Sequence, residues 1–262
     1  GWCPCFDPSK AFPLNISYFL PFTTPDVRVQ VRVIRELLDE FPELHDYLET
    51  KYNQKLLAVS GLDNYGLCTT FPWEKISDLK GRKLLGAGPN LPWISGVDAI
   101  PLSSSLITAY NQMATGAAYG FLSLPGSYYG FRLYEQAPHL KVTNFGAMAQ
   151  VVLTMNLETR ARLPADVVAI VDQVAAEWET VATRVSYEKE RSSLEKLRSA
   201  GAIITEISRE AQADWARSMI DWPNDRTQAI NDFGIDGTKI MRRYIELLEE
   251  AGHRFPVRYP ID

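Results

Sequence analysis

The chain has 262 residues, a formal net charge of −5, 46% hydrophobic residues and 23% charged ones. That length can bury a sizeable core in one large domain or in two lobes. Scattered lysines and arginines on a net acidic chain argue against a nucleic-acid role, because phosphate binding wants a basic patch. No apolar stretch approaches the roughly 18 residues of a membrane span, so the chain does not read as membrane-spanning.

The thiols are Cys3, Cys5 and Cys68, with no Cys-x-x-Cys pair, and His45, His139 and His253 are far apart. A structural zinc site is not expected, nor is any cofactor. In an oxidising compartment a disulfide between Cys68 and either Cys3 or Cys5 stays open. The opening Gly1-Trp2-Cys3-Pro4-Cys5 is neither a Met start nor a charged-then-apolar leader.

In chain order, Leu14 to Leu20 is an apolar, β-rich run ended by Pro21. Thr24 is a candidate N-cap with Pro25 at the first helical position. Val27, Val31, Ile34, Leu37 and Leu38 form a helical stripe, and Leu44, Tyr47 and Leu48 continue on a second helix. Leu56 to Val59 and Tyr65 to Thr70 read as strands, and Pro72-Trp73 as a crossing. Arg82 to Leu85 is a strand stopped by Gly86 and Gly88; Asn90 to Ser95 is a short helix. Ala99 to Leu102 is the next strand, followed by a helix on Leu106, Ala109, Tyr110 and Met113, then a strand over Ala118 to Leu122. Strands alternating with helices over short connections predict a parallel α/β unit, with ligand at the strands' carboxyl ends. Gly126 to Tyr134 is helical, and His139 to Thr143 and Gln150 to Met155 are strands. Ala165 to about Arg198 keeps helical spacing throughout, long against the usual roughly 8–20 residues. Ala202 to Ile207 is a last strand, before amphipathic helices over Ser208 to Met219 and Gly237 to Ala251.

Catalytic and nucleotide motifs are weak. In Gly86-Ala87-Gly88 the third glycine of a dinucleotide loop falls on Leu91, which leaves a tight turn or close backbone approach. Gly126-Ser127-Tyr128-Tyr129-Gly130 has its serine one place early for a nucleophile elbow. Ser103 to Ser105 is better explained as the N-cap region of the next helix.

A family resemblance emerges from Asp78-Leu79-Lys80-Gly81-Arg82-Lys83-Leu84, then Tyr110 with Gln112-Met113-Ala114-Thr115-Gly116 and Gly120, then Arg132-Leu133-Tyr134-Glu135. With Leu163-Pro164-Ala165-Asp166-Val167 downstream and Leu20-Pro21-Phe22 upstream, the chain resembles the extracytoplasmic solute-binding proteins of TRAP transporters, a DctP-like family. The resemblance implies an α/β, two-lobed, periplasmic-binding-protein-like fold with a hinge and a long spine helix. Lobe I would hold residues 1–72 and 145–262, and lobe II residues 73–144. It also implies that about one βαβα unit of the family has no counterpart here. Its expected partners are a small organic solute and TRAP membrane permease subunits, in the periplasm, with no catalysis.

The resemblance further implies a missing acid grip. Leu85 stands where most of the family carries the arginine that clamps a carboxylate, and Leu67 falls near a second familial arginine. Ser123 aligns with the familial asparagine and Tyr119 with an aspartate. A bidentate guanidinium supplies both energy and orientation to a bound acid, so simple dicarboxylates are expected to bind poorly. Aromatics stand at the same mouth. The expected ligand-binding set is Trp93, Tyr119, Phe121, Ser123, Leu85, Asn90, Tyr65, Leu67 and Trp2, an aromatic-lined pocket; core packing is the plainer explanation for about half of these rings. A small-molecule enzyme on an α/β scaffold and a ligand sensor remain the alternatives.

Overall fold

The computed structural model describes residues 16–232 and 234–262; Trp2, Cys3 and Cys5 lie outside the described residues. Ile16–Phe19 is one helical turn (α1) with all four side chains buried, where the apolar run predicts a strand. A short apolar run suits a buried helix as well as a strand, and packing decides. Helix α2 (Val27–Glu40) is capped by Asp26, whose carboxylate accepts the Arg28 N–H at 2.9 Å. The cap thus falls two residues beyond Thr24. Helix α3 (Glu43–Tyr52) closes on left-handed Asn53.

Strand β1 (Gln54–Asn64) and strand β2 (Gly66–Thr69) are separated by Tyr65 alone. Then come β3 (Lys83–Gly86), α4 (Leu91–Ser95), β4 (Ile100–Ser103), α5 (Leu106–Ala114), β5 (Gly120–Ser123) and α6 (Pro125–Gly130). The helix expected to reach Tyr134 stops early because Arg132 adopts φ 55°. Strands β6 (His139–Val142) and β7 (Ala147–Asn156) follow, then α7 (Leu157–Ala161), α8 (Ala165–Ser199), β8 (Ile203–Glu206), α9 (Arg209–Ser218), α10 (Trp222–Asn231) and α11 (Gly237–Glu250).

The strands form two sheets. One is an antiparallel pair, β1 with β7; the other has the order β4-β3-β5-β2-β6-β8. Strand β3 runs parallel to both β4 and β5, as the alternating pattern requires. Strands β2 and β8 are bonded into the six-stranded sheet, although the boundaries read from the sequence put them in lobe I. The polypeptide therefore changes sheets at Tyr65, at Thr143 to Gly146 and once more between β7 and β8 through α8, rather than at Trp73. Helix α8, 35 residues long, packs on β1, α6 and β8, and so runs along both sheets.

The six-stranded sheet has two buried faces. Leu67, Leu84 and Leu122 join the large core with α2, α9 and α11, while Cys68, Leu85 and Phe121 join a second core with α5, α6 and Leu197 of α8. Two-residue alternation assigns each strand position to one core or the other. Cys68 is a buried thiol, without a disulfide partner among the described residues, pushed up to about 12 by burial.

Candidate functional site at the sheet crossing

The crossings at Tyr65 and at Thr143 to Gly146 are tied to each other. The Asn64 side-chain amide donates to Asn144 Oδ1 at 2.8 Å, and its own Oδ1 accepts the Gly146 N–H at 3.1 Å. Tyr65 N–H reaches the Gly146 carbonyl, and Thr143 Oγ1 donates to the Tyr65 carbonyl at 3.1 Å. Gly146 has φ 118°, and a Cβ there would stand 2.0 Å from Thr23 Oγ1. Only glycine fits that approach, and it fixes where Phe145 points.

What these crossings hold is a box of rings. Trp93 of α4 stacks on Phe145 at 4.8 Å between centroids, and Phe145 stacks on Phe22 at 4.6 Å. Tyr18 lies 5.8 Å and Tyr65 5.9 Å from Trp93, and the two tyrosine hydroxyls are 2.9 Å apart. On the other side Trp215 of α9 sets its edge on Phe145 at 4.8 Å and donates its Nε1–H to the Trp93 carbonyl at 2.9 Å. Trp73 continues the row at 6.1 Å from Trp215, and Lys141 Nζ stands 5.2 Å over its ring. Trp93 is 0% exposed, yet its Nε1–H has no acceptor among the described residues. A buried donor left unmade costs about 1–3 kcal/mol, so such an atom demands an explanation.

Of the residues singled out in the sequence, the structure brings Trp93 and Tyr65 together in this box. Leu67 lies in the same core. Asn90 is buried next to Trp93 but uses its amide on the backbone, accepting from Ala87 N–H at 2.9 Å and donating to the Leu122 carbonyl at 3.4 Å. That bond makes Gly86 to Gly88 a tight turn. Ser123 lies at the carboxyl end of β5, where its N–H donates to the Tyr128 hydroxyl at 2.8 Å; that hydroxyl in turn donates to the Gly66 carbonyl. Leu85 and Phe121 face the second core, across the sheet from Trp93. Tyr119 precedes β5 at its amino end, 37% exposed and beside Arg82. The three do not reach the box: Leu85 and Phe121 face the core with α5 and α6, and Tyr119 stands beyond the amino end of β5. Tyr18, Phe22, Phe145 and Trp215 are the members that sequence reading missed. The Gly146 next to Phe145 was the one local signal of a special backbone there.

Two carboxylates sit at the same crossing. Asp63 accepts the Gly126 N–H at 3.3 Å and faces Ser186 Oγ at 3.5 Å, and burial raises its pKa against the pull of Lys189. Glu190 of α8 accepts the Asn64 N–H at 3.2 Å, and burial, with Asp63 and Asp26 nearby, pushes it up to about 7. A carboxyl raised in the folded state binds a proton there before it does in the unfolded chain. Its stabilising contribution is complete below the ordinary value of 4.5 and is lost as pH rises through about 7. Glu190→Gln keeps an acceptor for Asn64 without the charge. It is expected to stabilise the protein by roughly 1–3 kcal/mol above pH 7, with the difference fading toward acid. Denaturant unfolding of both proteins across pH checks this, and an unchanged or lower stability of the variant in alkali would contradict it.

Among the described residues no helix is long and apolar enough to cross a membrane, and no group of three or more His, Cys, Asp or Glu could hold a metal ion. Two sheets joined by two tied crossings, with a helix along both and an aromatic box between, define a bilobed α/β binding protein. Residues 12–222 match the DctP family model of bacterial extracellular solute-binding proteins, family 7. The chain belongs to that family. Its fold is that of TRAP periplasmic solute-binding proteins. One from Desulfovibrio salexigens DSM2638, in an open complex, superposes with a TM-score of 0.81 at 17% identity, covering 95% of this chain and 76% of that one. A marine metagenome protein specific for aromatic acids, with 3-hydroxybenzoate, gives 0.80 at 18% identity, covering 95% and 78%. One from Rhodoferax ferrireducens T118, with copurified benzoate, gives 0.78 at 17% identity, covering 94% and 78%. A comparison with curated proteins finds no match.

Proposed function

We propose that this protein captures a small organic solute outside the cytoplasm, in the periplasm, and delivers it to TRAP-type membrane permease subunits. The family match over residues 12–222 carries this reading. The rings of the box rest on one another within one buried core, so a solute with an aromatic or otherwise apolar body would enter the box where motion of one sheet against the other parts them. Trp93 and Tyr65 line it, with Ser123 and Asn90 at the nearby strand ends. The benzoate, 3-hydroxybenzoate and mandelate bound by proteins of the same fold are of that chemical class. With leucine at 67 and 85, both buried against apolar neighbours, neither position offers a guanidinium to any carboxylate; one carboxylate has the Trp93 Nε1–H as a donor, while a second has no partner there, and a buried unpaired charge costs several kcal/mol.

Isothermal calorimetry with benzoate, mandelate and 3-hydroxybenzoate against succinate and malate tests the solute class. The aromatic acids are expected to bind at least about tenfold more tightly, a difference of about 1.4 kcal/mol. Tight succinate or malate binding would sink the idea, and chemical turnover of a bound solute would favour an enzyme instead.

A further inference from the structure

Helix α8 grips the first crossing beside two carboxyl groups that differ in how they are held. Asp63, buried near the end of β1, accepts the Gly126 N–H of α6, faces Ser186 Oγ of α8 and feels the pull of Lys189. A Cβ on Gly126 would stand 3.1 Å from Asp63 Oδ2 and 3.1 Å from Lys189 Cε, so the three are in close contact. Glu190 of α8 holds the Asn64 N–H at 3.2 Å. The charged groups that face it are acidic: Asp63 from β1 and Asp26 from the cap of α2. Asp26 is itself paired with Arg28 at 2.7 Å, Lys189 pulls on Asp63, and α6 brings no charged side chain.

Asn64 is the residue that ties the crossings together, to Asn144 and to Gly146. Gly146 adjoins Phe145, which stacks on Trp93. A continuous path of contacts thus runs from Glu190 on the helix along both sheets to the rings of the box. We propose that Glu190 is a proton-operated latch on this hinge: protonated, it keeps α8 on Asn64 with the crossings tied and the rings closed; ionised, it leaves Asn64 for water and lets the sheets part. An ionised carboxylate held here has one N–H and two acidic neighbours, whereas in water it is fully hydrated. Held against Asn64, Glu190 keeps its proton up to about 7; released, it returns to its ordinary value of 4.5. Between those values each pH unit favours the released form by about tenfold, and above about 7 the effect levels off. The inference rests on the hinge motion of the proposed function and not on the solute.

Residue-resolved amide hydrogen exchange on the free full chain tests it, with the pH dependence of the chemical step divided out. The N–H groups of Asn64, Tyr65 and Gly146 are expected to exchange faster than those of α11, through local opening of the crossing. Their opening should rise about tenfold from pH 6 to pH 8 and change little beyond. Glu190→Gln keeps an acceptor that cannot ionise, and its crossing amides should show no such rise. Asp63→Asn removes a facing charge and should move the rise to lower pH. Wild-type opening that ignores pH, a rise that survives Glu190→Gln, or crossing amides no faster than those of α11 would each overturn the latch. No solute is present in this experiment, so failure of benzoate to bind would count against the solute class and leave the exchange result standing.

Discussion

Trp215→Ala is expected to cost about 3–5 kcal/mol, the range for deleting a large buried ring. Trp215 is 0% exposed, sets its edge on Phe145, packs against Trp73 and ties α9 to α4 through the Trp93 carbonyl. Its loss leaves a cavity in the middle of the row of rings and an unpaired carbonyl at its wall, and neighbours held from three separate segments cannot all move in to fill it. At about 2–4 °C per kcal/mol for a chain of this size, the melting midpoint should fall by roughly 6–20 °C. Trp215→Phe should lose less, chiefly the hydrogen bond, about 1 kcal/mol. Calorimetric melting of both variants decides it, and an alanine variant as stable as the wild type would show that the box does not hold the two sheets' cores together.

The second large effect concerns affinity. Trp93 Nε1–H is buried without an acceptor among the described residues, which leaves it a ready donor for a solute's oxygen. Trp93→Phe keeps a ring against Phe145 and removes that donor. If the donor serves the solute, affinity should fall about tenfold, the worth of one buried hydrogen bond to a charged acceptor. Stability should change little beyond the lost ring volume, about 1 kcal/mol or 2–4 °C. If Trp93 is only core, the opposite split is expected, with stability lowered and affinity intact.

The sequence made much of the frame legible, because long periodic segments announce themselves. The stripe from Val167 to Val185 gave α8, and the alternating short strands from Lys83 to Ser123 gave the parallel unit. Leu14 to Leu20 misled because a short apolar run is compatible with a buried helical turn. Helix α10 went unread: its buried residues Pro223, Thr227 and Ile230 include only one aliphatic side chain, which makes no visible stripe, although a proline at its start was a usable sign. The box of rings was legible in part. Trp93 and Tyr65 were found beside strand ends and crossings, which are local features. Tyr18, Phe22, Phe145 and Trp215 reach the same point from segments far apart in sequence, and only tertiary structure joins them. For Phe121 and Leu85, two-residue alternation groups strand positions by face, but sequence does not say which face of a fully buried sheet looks toward the crossing.

The central claim is that the box between the sheets holds an organic solute. Native mass spectrometry of wild type and Trp93→Phe, each titrated with benzoate under identical conditions, tests it most directly. The account predicts a one-to-one adduct on the wild type and a clearly weaker one on the variant, with both proteins folded. Equal adducts on the two proteins, or none on either with benzoate or the other aromatic acids, would contradict it.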